Sequence, residues 1–396
     1  MTRHPVRLHV CRALVVLVGV ACLDSSSPAP TDLAPATGLW VFHIQGGRFA
    51  EHVQLLEISQ ANDSVSPLTL RALPTRDWTG QPVVDLDVAG AFARVDAHVI
   101  SWTLLLGSGD IVRMRYQVAS DTARGLLEET HGADSGLAIP ALGVRIAAPL
   151  LPQGRASDDS VLSADGPPVV LLRLDDDPPS DPRFIARMRE RSLYGELAIP
   201  TQWVGMAGRP RWQELRDLVD RGFSVAAHSR THGTLDGSSA GFMGEVLGSL
   251  EDLASERLPT AVFVQPGTWS DSSYFNSPTQ FHGWRGALFR TFTRTTEAYA
   301  YAGSAELPLA DSLRLGLGHY TISNKPAAWV LSWWTQAVSA PRLTVFMVHT
   351  WALESPDTLD WFLDSLAAAV RAGRIRLAHS SAELFLPDPP TVAPGR

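Results

Sequence analysis

The sequence predicts an α/β fold, a distorted (β/α) barrel over residues 167–386, preceded by a small all-β barrel or sandwich over residues 38–149. Three observations carry this expectation. From residue 167 onward, apolar runs of strand length alternate with amphipathic helical patterns, which implies βα units and parallel strands. Between residues 38 and 149 the apolar positions recur with a period of two and helical patterns are absent, as in an antiparallel sheet. Three apolar runs of the second region end in Asp or His, at the carboxyl ends where α/β folds collect ligands.

The chain has 396 residues, long enough for two sizeable domains, with 45% hydrophobic and 19% charged residues. A formal net charge of −8 argues against nucleic acid or an anionic membrane surface as partner. Residues 1–22 read as a secretion signal, with Arg3, Arg7 and Arg12 before a short apolar core at 13–21. That core is too short to span a bilayer, which takes ~20 apolar residues. It closes on Gly19-Val20-Ala21-Cys22, small residues before a cysteine, similar to a bacterial lipoprotein signal that would leave a lipid anchor on Cys22. Ordinary signal cleavage nearby is the alternative. Cys11 leaves with the signal, so no intramolecular disulfide is expected. Either way the chain is expected to be exported, to the periplasm, a membrane or the cell surface.

Residues 23–37, rich in Ser, Pro and Ala, read as a flexible tether. Strands are expected at 40–44, 52–58, 68–73, 83–88, 92–95, 98–105 and 111–118, with two more at 123–128 and 143–147. Trp40, Trp78 and Trp102 fall in this region, where core packing is the ordinary role for tryptophan and sugar binding the alternative. Residues 150–166 read as a polar linker. Helices are expected at 181–191, 212–221, 241–257, 327–338 and 357–371, with strands at 194–199, 261–264 and 374–378 among them. Between 274 and 323 the pattern is weaker: a short helix at 284–289, and extended stretches at 291–301 and 313–322. The Pro-rich tail, 387–396, reads as frayed.

The chemistry gathers at three strand ends. Residues 169–178 read Val-Val-Leu-Leu-Arg-Leu-Asp-Asp-Asp-Pro, a strand buried on both faces that ends in Asp175, Asp176 and Asp177. Three adjacent carboxylates repel one another, so a cation, a protonated member or a solvated turn must relieve them. Residues 222–233 repeat the plan and end in His228 and His232, four apart, a spacing at which one helical turn brings both imidazoles to a single divalent ion. Residues 343–351 end in His349. Asp, His and His at the ends of strands in one α/β region point to a shared site.

The stretches Leu174-Asp175-Asp176-Asp177-Pro178, His228-Ser229-Arg230-Thr231-His232 and Met347-Val348-His349 resemble, in this order, motifs of the polysaccharide deacetylases, the NodB-homology domain of carbohydrate esterase family 4. The family's first motif is Thr-Phe-Asp-Asp-Gly, its second His-(Ser/Thr)-x-x-His and its last Leu-x-His. The resemblance covers about residues 167–386. It implies a (β/α) barrel with Asp175 as catalytic base, Asp176, His228 and His232 as ligands of a divalent ion (zinc is the expected one), and His349 as general acid. The family's third motif, Arg-x-Pro-Tyr, has its nearest match in Val264-Gln265-Pro266-Gly267, so the arginine that steadies the base is missing. Gly267 would supply the oxyanion-binding N–H, and Arg173 or Arg230 would have to replace the arginine. Asp177 stands where the family has Gly, which leaves open a register with Asp176 as base and Asp177 as ligand. The fourth motif, Asp-x-x-Asp-Trp, has no counterpart between Trp269 and Leu343. The all-β region loosely resembles the lipocalin-like domains that accompany exported bacterial enzymes.

Three functional readings follow. The first is a metal-dependent hydrolase that deacetylates N- or O-acetylated glycans, with an acetylated glycan as its partner and Trp269, Trp284 and Trp351 as candidate stacking surfaces. The second is a catalytically impaired carbohydrate-binding protein of the same fold. The third is an envelope lipoprotein in which the all-β region does the work. Metal content separates the third from the others, and turnover separates the first two.

Overall fold

Where the apolar positions alternate, the computed structural model of the protein has one antiparallel sheet of eight strands. They are β1 (Gly38–Ile44), β2 (Val53–Ser59), β3 (Thr69–Leu73), β4 (Phe92–Val95), β5 (Val99–Leu105), β6 (Ile111–Ala119), β7 (Thr122–Thr130) and β8 (Ala138–Ile146). The structure describes residues 38–47, 53–59, 69–73, 92–95, 99–105, 111–131, 134–146, 156–160, 166–176, 182–233, 239–267, 284–297, 306–307, 315–323, 325–339, 341–349 and 356–387. The strand order β3-β2-β1-β8-β7-β6-β5-β4 is a meander joined by the pairing of β1 with β8, and the edge strands β3 and β4 approach each other. The sheet is therefore a single curl and not two stacked layers. Along β6, Val112, Met114, Tyr116 and Val118 point into the curl while Arg113, Arg115 and Gln117 face out. Trp40 is fully buried there, 5.8 Å from the ring of Phe42, which is a packing role. Trp102 stands on β5. Trp78, the strand expected at 83–88, the segment 1–37 and Cys22 lie outside the described residues.

The second region alternates as its pattern predicts. In chain order come β9 (Ala156–Ser160), β10 (Val169–Leu174), α1 (Pro182–Glu190), β11 (Glu196–Ile199), α2 (Trp212–Val219), β12 (Ser224–Ala227), α3 (Ser239–Ser255), β13 (Val262–Val264), α4 (Trp284–Phe292) and β14 (Thr295–Glu297). They are followed by β15 (Glu306–Leu307), β16 (Leu315–Leu317), β17 (Tyr320–Thr321), α5 (Ala327–Ala337), β18 (Leu343–Val348), α6 (Pro356–Arg371), β19 (Arg376–Ala378) and β20 (Phe385–Pro387). No helix among the described residues is long and apolar enough to cross a membrane.

A ten-stranded sheet runs β15-β18-β10-β11-β12-β13-β14-β16, with β17 on β18 and β19 on β10, and all its pairings are parallel except β15 on β18. The short segment Leu315–Thr321 pairs with β14 at its start and with β18 at its end, so it ties the two margins of the sheet together. This is the connectivity of a distorted barrel. Val170, Leu172 and Leu174 of β10 face the helices, whereas Val169 and Leu171 face inward with Leu343, Val345 and Leu384.

Three expectations change. The stretch 150–166 contains β9, which pairs antiparallel with β20, so Pro387 belongs to a strand and not to a frayed tail. Ala-Ser-Asp-Asp-Ser has no apolar period, and a two-stranded ribbon held by backbone pairing leaves none to read. Helix α4 extends to Phe292, into a stretch that reads as extended, because Leu288, Phe289 and Phe292 are buried at helical spacing. The outer face of the eight-stranded sheet, through Val41, Leu55, Leu142 and Ile146, belongs to the same hydrophobic core as Phe242, Val246 and Leu250 of α3.

Inside the barrel, Arg173 and Glu196 face each other in register and are both fully buried. The guanidinium donates to Glu196 Oε2 from Nε at 3.0 Å and from Nη2 at 2.6 Å. The other carboxylate oxygen accepts from Ser380 Oγ at 2.6 Å and from the Ser381 N–H at 3.1 Å. A buried ion pair of this kind holds little net stability against an apolar pair, but half of it is costly. Arg173→Met is therefore expected to destabilise the protein by about 3–5 kcal/mol, and Arg173→Met/Glu196→Leu to recover most of that. Denaturant unfolding of both variants checks it. A double variant no more stable than the single one contradicts it.

Candidate metal centre

Parallel pairing brings the strand ends to one rim. Leu174 of β10 lies opposite Val348 of β18, and the Asp175 N–H donates to the Val348 carbonyl at 3.1 Å, so Asp175 and His349 leave the sheet side by side. Ile199 of β11 lies opposite Ala227 of β12, and the His228 N–H donates to the Ile199 carbonyl at 3.1 Å. Beyond these ends the chain turns abruptly. Asp176, Ser229 and His232 have φ of 72°, 62° and 59°, three of the seven non-glycine residues with positive φ among the described residues. Such backbone costs of order 1 kcal/mol or more per residue and gathers at functional sites.

The histidine pair is not carried on a helical turn. His228 to Gly233 is irregular, and its two left-handed residues fold the loop back on itself. Left-handed backbone leaves no mark in the apolar pattern, so the spacing suggested a helix where a tight loop does the same work. The His232 N–H donates to Ser229 Oγ at 2.9 Å, so Ser229 is a brace of the loop. Helix α3 holds the outside of the loop with two carboxylates seven residues apart. Glu245 accepts from the N–H groups of Arg230 and Thr231 at 3.0 and 2.9 Å, and Asp252 takes the Arg230 fork at 2.9 and 2.8 Å.

Asp176, His228 and His232 converge, with one ligand atom from each lying within 4.8 Å of the others. Asp176 Oδ1 is 3.3 Å from His228 Nε2 and 2.9 Å from His232 Nε2, yet as a buried acceptor it makes no well-aligned hydrogen bond. Three ligand atoms this close together are the donor set that a cation between them requires. The second nitrogen of His228, Nδ1, lies 2.9 Å from the Val264 carbonyl. That contact fixes the proton on Nδ1 and leaves Nε2 as a ligand. A carboxylate and two imidazoles suit a zinc-class ion with open positions.

Burial opposes ionisation of Asp176, but the close His228 and His232 imidazoles and their charge outweigh it and hold the carboxyl well below the usual carboxylate range. Burial likewise works against a charged His228, and Asp176 and Asp175 reverse this and raise its pKa. Since the ligand form of the imidazole is neutral, uptake of an ion releases that proton and is expected to weaken in acid.

Asp175 is buried, its Oδ1 has no hydrogen-bond partner, and burial pushes its pKa up against the opposing charges of His228, Arg173 and His349. His349 Nε2 lies 3.5 Å from Asp176 Oδ2, and its backbone N–H donates to Ser323 Oγ at 3.1 Å. Gly267 lies beyond the end of β13, after buried Gln265 and Pro266, with φ of 88°. Neither arginine considered as a brace for Asp175 hydrogen-bonds to it: Arg173 is anchored on Glu196, and Arg230 on Asp252. Asp177, Trp269 and Trp351 lie outside the described residues, and Trp284 begins α4.

One neighbour was not legible in the sequence. Trp203, in a 3-10 turn after β11, stands with its ring 5.1 Å from that of His232, and the Arg209 guanidinium lies 4.4 Å from the Trp203 ring centre. The stretch 200–211 has no periodicity and carries no motif. A tryptophan among Gly, Pro and Met gives no hint of its neighbour until the loop is folded.

No family model and no curated protein matches this chain. Among solved structures, a family 4 carbohydrate esterase from Streptomyces lividans in complex with acetate is similar at 17% identity over 57% of this chain and 98% of its own, with a TM-score of 0.37. A family 4 acetyl xylan esterase from Clostridium thermocellum with a cobalt ion is similar at 13% identity over 53% and 87%, TM-score 0.32. A variant of a peptidoglycan deacetylase from Bacillus subtilis is similar at 12% identity over 56% and 92%, TM-score 0.34. Scores this low transfer no residue role to this chain.

Proposed function

We propose that this chain is a metal-dependent hydrolase that removes acetyl groups from N-acetylated or O-acetylated polysaccharide outside the cytoplasm. The observation that carries this reading is the grouping of Asp176, His228 and His232 with their ligand atoms within 4.8 Å of one another, with a further carboxylate, Asp175, and a further imidazole, His349, beside them. Asp176, His228 and His232 hold the ion. When bound, the ion polarises the acetyl carbonyl and lowers the pKa of water at an open position.

Asp175 takes the proton of the attacking water. Its buried carboxyl has a raised pKa, which suits a base that must accept a proton near neutral pH. The Gly267 N–H donates to the carbonyl oxygen as negative charge grows there. His349, protonated, gives its proton to the leaving nitrogen, which departs poorly as an anion. For an ester the alkoxide takes the same proton. The basic and apolar residues at 1–22 support export, with a lipid on Cys22 as the anchor.

One observation favours the second reading, a glycan-binding protein without turnover: no arginine hydrogen-bonds to Asp175 among the described residues. Acetate release from acetylated chito-oligosaccharide, peptidoglycan and acetylxylan, each with Zn(II) present, decides between them. Release from any one supports the hydrolase. Glycan binding without release from any supports the binder.

A further inference from the structure

The two candidate imidazole ligands are held in different ways. His228 is buried and its second nitrogen is fixed by the Val264 carbonyl. His232 is 22% exposed in its side chain, its backbone is left-handed, and its second ring nitrogen makes no hydrogen bond among the described residues. Metal-bound imidazoles are ordinarily oriented by a hydrogen bond at that nitrogen. Among the described residues, besides the candidate ligands His228 and Asp176, the ring contact made by His232 is with Trp203, at 5.1 Å and 34°.

Trp203 is itself held firmly. The Thr201 N–H donates to the Ser229 carbonyl at 3.1 Å and the Gln202 N–H to the Arg230 carbonyl at 2.9 Å, which stitches the tryptophan turn to the histidine loop. Thr201 Oγ1 donates at 2.6 Å to Asp252 Oδ2, the carboxylate that also takes the Arg230 fork. Gly205 and Gly208, at φ of 83° and 78°, reverse the chain after the indole, and the Gly205 N–H donates to the Pro210 carbonyl at 2.7 Å. The reversal returns Arg209 over the Trp203 ring, where a guanidinium is attracted to the indole face.

We infer that Trp203, backed by Arg209, is the positioning residue for His232. The aromatic wall limits the orientation of this ring, where for His228 the Val264 carbonyl does so by a hydrogen bond. It restricts the ring so that Nε2 stays aimed at the point shared with Asp176. The inference rests on the reading of Asp176, His228 and His232 as metal ligands.

The test is Zn(II) affinity by competition with a chromogenic chelator, in the absence of any substrate. Trp203→Leu keeps apolar bulk but removes the aromatic plane. It is expected to weaken Zn(II) binding about 10–100-fold, the usual loss when a ligand's orienting partner is removed. Trp203→Phe is expected to stay within a few-fold of wild type, because it restores the plane. Melting of the metal-free proteins establishes that both variants fold, and if Trp203→Leu does not, Trp203→Met takes its place with the same expectation as Leu. Unchanged affinity in Trp203→Leu, or equal losses in Leu and Phe, overturns the inference while leaving the metal site intact. A wild-type protein that takes up no Zn(II) overturns the functional reading and this inference together.

Discussion

Asp175→Asn is expected to lower acetate release by ~10²–10⁴-fold while bound metal stays at the wild-type level, because the change removes a general base and spares every ligand. The amide is nearly isosteric with the carboxyl and cannot accept the water's proton. The β10–β18 pairing sets Asp175 beside His349 and adjacent to Asp176, which fits the proposed role. Asp176→Asn is expected to differ in kind, since it weakens metal retention along with turnover. The alternative register, with Asp176 as base and Asp177 as ligand, reverses the pattern: Asp176→Asn keeps metal but not turnover, and Asp177→Asn loses metal. The convergence of Asp176 with both imidazoles supports the first register. Turnover and metal content of the three variants, at matched folding, decide it.

His228→Ala is expected to abolish stoichiometric metal and, with it, turnover. His228 is the more deeply buried imidazole and the one whose tautomer is fixed by a backbone carbonyl. Its removal deletes a ligand outright, so the loss in affinity is expected to exceed the 10–100-fold that follows from losing an outer-shell partner. Elemental analysis beside wild type checks this. Equal metal in both proteins contradicts the ligand assignment. The variant also removes one of the two imidazoles, His228 and His232, that hold the Asp176 carboxyl ionised.

The strand ends were legible because burial writes itself into a sequence. Val169 to Leu174 is apolar except for Arg173, and the three aspartates after it stand out against that run. His228 and His349 follow apolar stretches in the same way, and parallel pairing does bring these ends together. What stayed hidden depends on register and loop conformation. The Val264 carbonyl that fixes His228 is backbone, and its position follows from how β12 and β13 align. The left-handed residues Ser229 and His232 carry no compositional mark, so their loop read as a helical turn. Arg173 breaks an apolar strand and invites a catalytic role, but its partner Glu196 is 23 positions away and gives the pair a structural one. The β9–β20 ribbon joins segments that each look like linker or tail, because its stabilising bonds lie in the backbone.

The central claim is that an ion held by Asp176, His228 and His232 is required for acetyl removal. Acetate release from the glycan that responds, measured on one preparation as purified, after chelation and after Zn(II) is restored, tests it most directly. The account predicts that chelation stops release, that restored Zn(II) returns it to wild type, and that a His228→Ala/His232→Ala protein does not recover. Release that persists in the chelated protein, or in the double variant, would contradict it.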